Sequence, residues 1–234
     1  MFRAIYMAIA FLGLTTTGAA FIMGFLWDPS APVENLWFNM GIYAAFITVH
    51  IIMTMPAFKK ALYGKAEGSL GERRIYILVT VFSWLVVYYY HKPVPGPGLD
   101  LALWEFGFWV QYLGVAAVLL AVVAFFEFAD FAGLRGLIGM PGSEITHTVG
   151  GETPLQTEGP YASVRHPMYR AAVLMGLASL IIFPNAGQAL FVAMIGGSFL
   201  LTIPFEEKQL LKARGDEYGD YMKETPWRVF RGIW

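Results

Sequence analysis

Two polar clusters in the last third of the sequence carry the side chains best suited to chemistry. The first, residues 159–169, reads GPYASVRHPMY and combines two phenols, a guanidinium and an imidazole with two prolines. The second is the adjacent pair Glu206 and Glu207, which stands at the end of an apolar run. Polar groups at a membrane boundary are costly unless they bind a ligand or one another. We therefore interpret the two clusters as the halves of one cofactor site.

The backbone and the aromatic rings of the first cluster are suited to holding a nucleotide. Pro160 and Pro167 restrict the backbone on either side of residues 161–166. The segment therefore cannot be a plain helix, and its backbone N–H and C=O groups are available to a ligand. Tyr161 and Tyr169 offer aromatic faces that can hold an adenine or lie near a cation.

The charged side chains of the two clusters suit a ligand that carries both a carboxylate and an ammonium group. Arg165 can pair with a ligand carboxylate, and His166 can donate to one or accept from one. Glu206 and Glu207 can bind an ammonium group or ribose hydroxyls. Because adjacent residues on a helix point about 100° apart, we expect the two glutamates to have different partners. In the alternative, structural interpretation, Arg165 and Arg170 are membrane-surface anchors and the glutamates are their counter-charges.

The composition predicts an integral membrane protein. Apolar residues make up 57% of the chain and charged residues only 14%, which is too little charge to cover the surface of a soluble domain of this length. The chain has no cysteine, which excludes disulfides, thiolate metal sites and cysteine nucleophiles, and we predict no metal site. The net charge of −1 and the lack of a basic strip exclude nucleic acid as a partner.

The hydropathy pattern predicts an all-α fold of five to six transmembrane helices, since a span needs about 20 largely apolar residues. The fifth segment reaches only about 21 Å as a helix, so a five-span fold that ends in a helical hairpin stays open beside the six-span fold. Pro184-Asn185 provides the turn of this C-terminal hairpin. We expect one domain over residues 1–234, with N-terminal helices over 1–128 and a cofactor-binding core over 129–234. The predicted segments are 4–26, 36–55, 75–90, 105–128, 170–183 and 187–205.

The charge distribution predicts the orientation of these segments. The loop 58–74 holds five Lys and Arg residues, which places it in the cytoplasm by the positive-inside rule. Six spans then put both termini, loop 130–165 and a pocket formed by the two polar clusters on the cytoplasmic side, in a bacterial inner membrane. Lys92 is the one basic residue predicted outside. An aromatic belt is predicted at the outer boundary, formed by Trp27, Trp37, Tyr88, Tyr89, Tyr90, Trp104 and Trp109.

The order of motifs in the last third carries a family resemblance. GPYxxVRHPxY at 159–169 is followed by an apolar hairpin, by EExxL at 206–210 and by GxxYxxY at 215–221. This order resembles the isoprenylcysteine carboxyl methyltransferase and phospholipid methyltransferase superfamily, whose members are membrane enzymes that use S-adenosylmethionine. His50, ERxxY at 72–76 and DFxGLR at 130–135 resemble the bacterial branch that contains methanethiol S-methyltransferases. Residues 140–158 do not match that branch, and Pro226-Trp227-Arg228 replaces its usual arginine-to-proline ending.

The resemblance implies an S-adenosylmethionine-dependent methyltransferase whose acceptor is a small or lipid-soluble molecule. It favours S-methylation of a small thiol, such as methanethiol to dimethyl sulfide. Arg165 and His166 would face the amino-acid end of the cofactor, and the backbone near Val164 would line the adenine. The implied cofactor-binding residues are Gly159, Tyr161, Val164, Arg165, His166, Pro167, Tyr169, Glu206 and Glu207.

A thiol acceptor needs a base, because the thiolate is the reactive form. His50 is our candidate, since it is an ionisable group inside a predicted span. Glu72, Asp130 and Arg135 are candidate catalytic residues beside it. A purely structural role for His50, hydrogen-bonded to a neighbouring helix, is the alternative.

Two other functions stay open at the level of the sequence. Within the same enzyme class, the acceptor is a prenylated cysteine carboxylate or a phospholipid amine. In another class, the chain is a non-catalytic transporter or accessory protein that uses His50, Glu127 and Asp130 as an intramembrane polar path. Gly187, Gly196 and Gly197 permit close helix approach within one chain or between chains, so the sequence leaves the oligomeric state open.

Overall fold

A computed structural model describes residues 27–64, 70–98, 112–117, 119–123 and 154–234. These residues form helices, turns and isolated backbone bridges, with no β-strand among them. The first predicted span, 4–26, and most of the fourth, 105–128, lie outside the described residues. The candidate residues Asp130 and Arg135 also lie outside them, as does most of the unmatched loop 140–158.

The N-terminal half of the described chain contains three helices. Helix α1 is Glu34–Thr54, helix α2 is Pro56–Tyr63 and helix α3 is Leu70–Tyr90. Pro56 stands in the first turn of α2, where its missing N–H costs nothing and its ring stops α1 from continuing. α1 and α3 cover the predicted second and third spans.

The C-terminal half contains the expected helical hairpin. Helix α4, Pro167–Ile182, is followed by α5, Ala186–Phe191, by a π-helical turn, Val192–Gly196, and by α6, Gly197–Arg214. The Asn185 side chain accepts a hydrogen bond of 2.9 Å from the Gln188 N–H and so caps α5. The Pro184-Asn185 turn therefore ends one arm of the hairpin and begins the other.

Two of the described helices are long and apolar enough to cross a bilayer. They are Glu34–Thr54, with 21 residues, and the continuous helix Ala186–Arg214, with 29. The other hairpin arm is a shorter apolar helix over Pro167–Ile181, and residues 112–117 and 119–123 are also helical. A mostly helical membrane fold follows from these lengths and from the composition. The number of spans and their orientation stay predictions.

An aromatic core fastens the hairpin to the N-terminal helices. Tyr43 of α1, Trp84 of α3 and Phe191 of α5 are buried, and the Phe191 ring contacts those of Tyr43 and Trp84 at centroid distances of 6.2 and 5.8 Å. Edge-to-face and tilted ring pairs add to the stabilisation that burial alone gives. This core fixes which faces of α1, α3 and the hairpin meet.

The two ends of this bundle differ in character. At one end, Asn35 and Asn39 of α1 donate to the Pro93 and Lys92 carbonyls beyond α3, and the Gly98–Asn185 bridge brings the hairpin turn to the same end. Exposed aromatic side chains of the predicted belt gather there: Trp37, Tyr88, Tyr89 and Tyr90. Trp104 and Trp109 of that belt lie outside the described residues. Lys59, Lys60, Arg73 and Arg74 stand at the other end, together with the start of α4 and the end of α6.

A sharp bend separates α6 from the last helix, α7, Asp216–Glu224. Gly215 makes the bend with φ 57° and ψ −125°, a backbone conformation that residues with a Cβ rarely adopt. The bend turns α7 back so that Tyr218 and Tyr221 become buried.

We predict that Gly215→Ala lowers the free energy of unfolding by roughly 1–3 kcal/mol, because a Cβ is strained at this φ. No heavy atom outside the local backbone lies within 4 Å of the position of that Cβ, so the strain comes from the backbone alone. Thermal unfolding in detergent measures the change. Gly219→Ala is the matched control, since Gly219 lies inside α7 with equal space around it. The control should stabilise the protein slightly, and equal effects of both variants would contradict the account.

Candidate functional site

The first polar cluster folds as a short turn that leads directly into α4. A 3-10 turn spans Gly159–Ala162, and Gly159 has a positive φ of 62°. Pro167 begins α4, so the helix cannot extend backwards through His166. The two prolines that the sequence singled out thus place Arg165 and His166 on irregular backbone at a helix start.

Glu207 of α6 joins the two polar clusters through a buried ion network. Its Oε1 accepts from Arg165 Nε at 2.7 Å and lies 3.3 Å from His166 Nε2. Its Oε2 accepts from Arg228 Nε at 2.9 Å. Arg165 also donates from Nη1 to the Thr225 carbonyl at 2.7 Å. The side chains of Arg165 and Glu207 are each only 4% exposed, so both oxygens of the carboxylate are occupied without water.

Glu206, the other acid, faces a different environment. Its Oε2 accepts from the Tyr169 hydroxyl at 2.9 Å and lies 3.8 Å from His166 Nδ1. The side chain is 38% exposed, and its Oε1 has no hydrogen-bond partner among the described residues. The two glutamates share His166 but otherwise have different partners, as their 100° separation on a helix predicts.

His166 is held between the two acids and against an aromatic ring. Its ring is nearly parallel to that of Tyr169, with an interplanar angle of 3° and a centroid distance of 5.4 Å. Tyr169 in turn stacks on Phe199 of α6 at 5.3 Å. A stack on one face and a carboxylate at each nitrogen fix the His166 ring, so it has little freedom to rotate.

Three phenols surrounding the network are neutral hydrogen-bonding groups. Burial raises the pKa of Tyr161, Tyr218 and Tyr221 above the ordinary value near 10, and nearby carboxylates raise the pKa of each further. The Tyr221 hydroxyl donates to the Tyr161 carbonyl at 2.8 Å, which ties α7 to the first cluster. A phenol kept protonated in this way can donate to a ligand but cannot act as a base near neutral pH.

The chain that follows α7, residues 225–234, completes the site, and sequence reasoning missed its role. The Trp227 and Arg228 carbonyls accept from the backbone N–H groups of Arg165 and His166 at 2.9 and 2.8 Å. The sequence signal was the Pro226-Trp227-Arg228 ending, which departs from the resembled pattern. The residue types alone do not reveal that this tail crosses the start of α4.

The candidate base His50 lies in α1, outside the ion network. Its Nδ1 is 2.9 Å from the Phe46 carbonyl oxygen one helical turn earlier. Its Nε2 is buried and has no hydrogen-bond partner among the described residues. The ring contacts that of Tyr76 in α3 edge-on at 5.7 Å.

Glu72, another candidate catalytic residue, has a partner of its own. It is buried and forms an ion pair of 2.8 Å with Lys59 of α2, which joins the start of α3 to the basic loop. Val164 is fully buried, and the Val164 N–H bonds to the Pro160 carbonyl within the turn. No group of three or more metal-ligating side chains occurs in the part of the chain that the structure describes.

The donor set fits a ligand that carries a positive charge and hydroxyl groups. Glu206 supplies an open carboxylate oxygen, and neutral phenols with an imidazole stand beside it. Arg165 and Glu207 form an ion pair with each other. They therefore hold the shape of the site and have little capacity left for hydrogen bonds to a ligand. The predicted cofactor-binding residues thus include a pair bound to each other, Arg165 and Glu207, and residues such as Glu206 that are more open to a ligand.

Comparison with known proteins gives one family match and several similar proteins. A model of the isoprenylcysteine carboxyl methyltransferase (ICMT) family matches residues 142–212, which contain both polar clusters. Methanethiol S-methyltransferase of Mycobacterium tuberculosis is 29% identical over 210 residues, covering 85% of this chain and 81% of the relative. Methanethiol S-methyltransferase 1 of Bradyrhizobium diazoefficiens is 27% identical over 85% of this chain and 70% of the relative. That of Crocosphaera subtropica is 25% identical over 83% and 74%. No solved structure matches.

These matches confirm the resemblance that the motifs indicated, to the ICMT family and to the methanethiol S-methyltransferases. The matches to relatives extend over most of the chain, so the resemblance is not limited to the last third. The roles of individual residues are not tested by them and stay predictions.

We predict that the two neighbouring glutamates differ sharply in their effect on stability. Glu207→Ala leaves Arg165 buried without its counter-charge and should lower the free energy of unfolding by about 3–5 kcal/mol. Glu206→Ala removes one hydrogen bond at a partly exposed position and should cost less than about 1 kcal/mol. Thermal unfolding in one detergent compares the variants. A Glu206 variant less stable than the Glu207 variant would contradict the assigned division of roles.

Proposed function

We propose that this protein is a membrane-integral methyltransferase that uses S-adenosylmethionine and methylates the sulfur of a small thiol, such as methanethiol. The observation that carries the proposal is the contact of the 159–169 turn with Glu206 and Glu207, within the segment that the family model matches. The family match and the names of the relatives support a membrane methyltransferase. The sulfur acceptor rests on the names of those relatives.

The proposed cofactor site assigns distinct tasks to the residues of the two clusters. Glu206 binds a positive or hydroxyl-bearing part of the cofactor through its open oxygen, with the Tyr169 hydroxyl fixing the carboxylate from its other oxygen. Tyr161 and Tyr169 provide aromatic surface. Arg165 and Glu207 hold the turn and α6 together around it. S-adenosylmethionine, when bound, supplies a methyl group activated by a sulfonium.

His50 has the hydrogen bonding expected of a base for a thiol acceptor. A carbonyl oxygen can only accept, so the contact with Phe46 fixes the proton of a neutral His50 on Nδ1. The lone pair then lies on Nε2, the atom without a partner among the described residues. We propose that Nε2 takes the thiol proton, and that Asp130, Arg135 and Glu72 belong to the same acceptor region.

The surroundings of the site suit a displacement that needs alignment more than covalent help. Phe46 and Tyr76 pack against His50, and Phe199 packs against Tyr169, so both side chains have apolar aromatic neighbours. Holding two reactants in line can contribute much of the rate of such a transfer. An anionic sulfur is also more reactive where water is excluded. The bundle thus supplies orientation and a dry environment.

We place this chemistry on the cytoplasmic face of a bacterial inner membrane, in a single domain with both termini in the cytoplasm. The support is that the hairpin turn lies at the aromatic end of the bundle, so the start of α4 lies at the opposite end, which holds Lys59, Arg73 and Arg74. The site therefore lies at the basic end of the bundle, where a soluble cofactor enters from water. A lipid-soluble acceptor reaches the same end through the membrane.

The decisive test of the proposal is cofactor binding followed by product detection. Isothermal titration of the detergent-solubilised protein with S-adenosylhomocysteine should show one site. Incubation with S-adenosylmethionine and methanethiol should release dimethyl sulfide, measured by headspace gas chromatography. A prenyl-cysteine analogue and a phospholipid serve as competing acceptors. No binding at millimolar ligand would favour a non-catalytic membrane protein instead, and methylation of only the lipid or prenyl acceptor would overturn the thiol assignment.

We predict that Glu206→Ala weakens S-adenosylhomocysteine binding by about 10- to 100-fold, the loss expected for a hydrogen bond to a charged group. Isothermal titration gives the dissociation constants. Glu224→Ala is the control, because Glu224 is an exposed acid at the end of α7. Equal affinities of the Glu206 variant and the unaltered protein would remove Glu206 from the cofactor site.

We predict that His50→Ala lowers kcat by about 100-fold or more at neutral pH, the usual range for loss of a positioned base. The S-adenosylhomocysteine affinity should change by less than about threefold, since His50 does not contact the ion network. Turnover is followed by dimethyl sulfide release. The loss should shrink as the assay pH approaches the pKa of the free thiol, where thiolate forms without a base. An undiminished kcat would reduce His50 to a packing residue.

A further inference from the structure

Arg228 lies outside the segment that the family model matches, yet it reaches the centre of the site. Its Nε donates to Glu207 Oε2 at 2.9 Å, and its guanidinium lies 5.3 Å from the ring centre of Trp234. The side chain is 31% exposed, whereas the other two partners of Glu207, Arg165 and His166, are 4% and 7% exposed. Arg228 is therefore the most solvent-exposed of the three partners of Glu207.

A continuous series of contacts leads from Arg228 to the open carboxylate of Glu206. Arg228 fixes one oxygen of Glu207, and the other oxygen lies at His166 Nε2. The His166 ring lies parallel to Tyr169, and the Tyr169 hydroxyl donates to Glu206. Each contact sets the orientation of the next, so a rotation of the Glu207 carboxylate would disturb the whole series.

We infer that Arg228 is a positioning residue for the cofactor site. Because both of its oxygens are bound, the Glu207 carboxylate cannot rotate. It therefore fixes the positions of Arg165 and His166, which in turn fix the positions of Glu206 and Tyr169. Arg228 acts through Glu207 and has no contact with Glu206. This inference rests on the proposed cofactor site for its effect on binding, but not for its effect on the fold of the tail.

The backbone of the tail gives the same residue a second link to the site. The Arg228 carbonyl accepts from the His166 N–H at 2.8 Å, and the Trp227 carbonyl accepts from the Arg165 N–H at 2.9 Å. The side chain and the backbone of Arg228 thus bind opposite sides of one unit, Glu207 and the residues 165–166. Loss of the guanidinium should loosen the tail without unfolding the bundle, because Arg165 still neutralises Glu207.

The test compares Arg228→Ala, Arg228→Lys and the control Arg231→Ala, using the full chain in detergent. Arg231 is exposed in the same tail and forms no ion pair among the described residues. One readout is the dissociation constant of S-adenosylhomocysteine. The other, which needs no cofactor, is the hydrogen-exchange rate of the Arg165 and His166 amides. Both measurements are repeated with methylguanidinium, which can replace the guanidinium that Arg228→Ala removes, and with ammonium at the same concentration.

The expected result has three parts. Arg228→Ala raises the dissociation constant about 10-fold, the scale for one hydrogen bond between charged groups, and speeds amide exchange at residues 165–166. Methylguanidinium, but not ammonium, reverses both effects, and Arg228→Lys lies in between. Arg231→Ala behaves like the unaltered protein. A merely structural tail would respond to the substitution without rescue by methylguanidinium.

Besides an effect that methylguanidinium does not reverse, two outcomes overturn the inference. One is unchanged amide exchange and unchanged affinity in Arg228→Ala. The other is faster exchange with unchanged affinity, which would limit Arg228 to docking the tail. If the unaltered protein binds no S-adenosylhomocysteine, the proposed function fails. The exchange data with methylguanidinium still decide in that case whether Arg228 holds Glu207.

Discussion

The structure depends on neutralising one buried carboxylate. Glu207 lies within α6, after its apolar part, and is almost without contact with water, so its charge is tolerable only with cationic and hydrogen-bonding partners close by. Arg165 and His166 come from the turn before α4, and Arg228 comes from the tail. Satisfying this single charge therefore brings together three segments that are distant in sequence. The Glu206 carboxylate, with one oxygen unpaired among the described residues, lies beside this ion network.

The same constraint explains why two adjacent acids behave differently. Glu207 points toward the turn and the tail, and both of its oxygens are used. Glu206, rotated around the helix, meets Tyr169 and keeps one oxygen open among the described residues. A site that must hold a ligand reversibly needs both kinds of group: one set fixed by internal contacts and another left incomplete until the ligand arrives. In the proposed cofactor site, the ion network supplies the first set, and Glu206 with the phenols supplies the second.

Much of this arrangement could be predicted from the sequence, for identifiable reasons. The helices α1 and α3 and the hairpin follow from apolar length and from Pro184-Asn185, which are local signals. The meeting of the two clusters could be anticipated because buried charges need partners. The position of the tail could not be predicted, because Trp227 and Arg228 contribute mainly backbone carbonyls and one guanidinium. No sequence pattern indicates which residues these groups bind. The pairing of Glu72 with Lys59 was also hidden, since any of several cations in loop 58–74 was an equal candidate.

The central claim of the proposal is that the 159–169 turn and the glutamates Glu206 and Glu207 of α6 form one site for S-adenosylmethionine. The most direct measurement is ultraviolet crosslinking of radiolabelled S-adenosylmethionine to the protein in detergent, followed by peptide mapping of the label. The account predicts label in the peptides that contain Tyr161 and Tyr169 or Glu206, and its loss when excess S-adenosylhomocysteine is present. Label confined to other peptides, or label that excess S-adenosylhomocysteine does not displace, would contradict it.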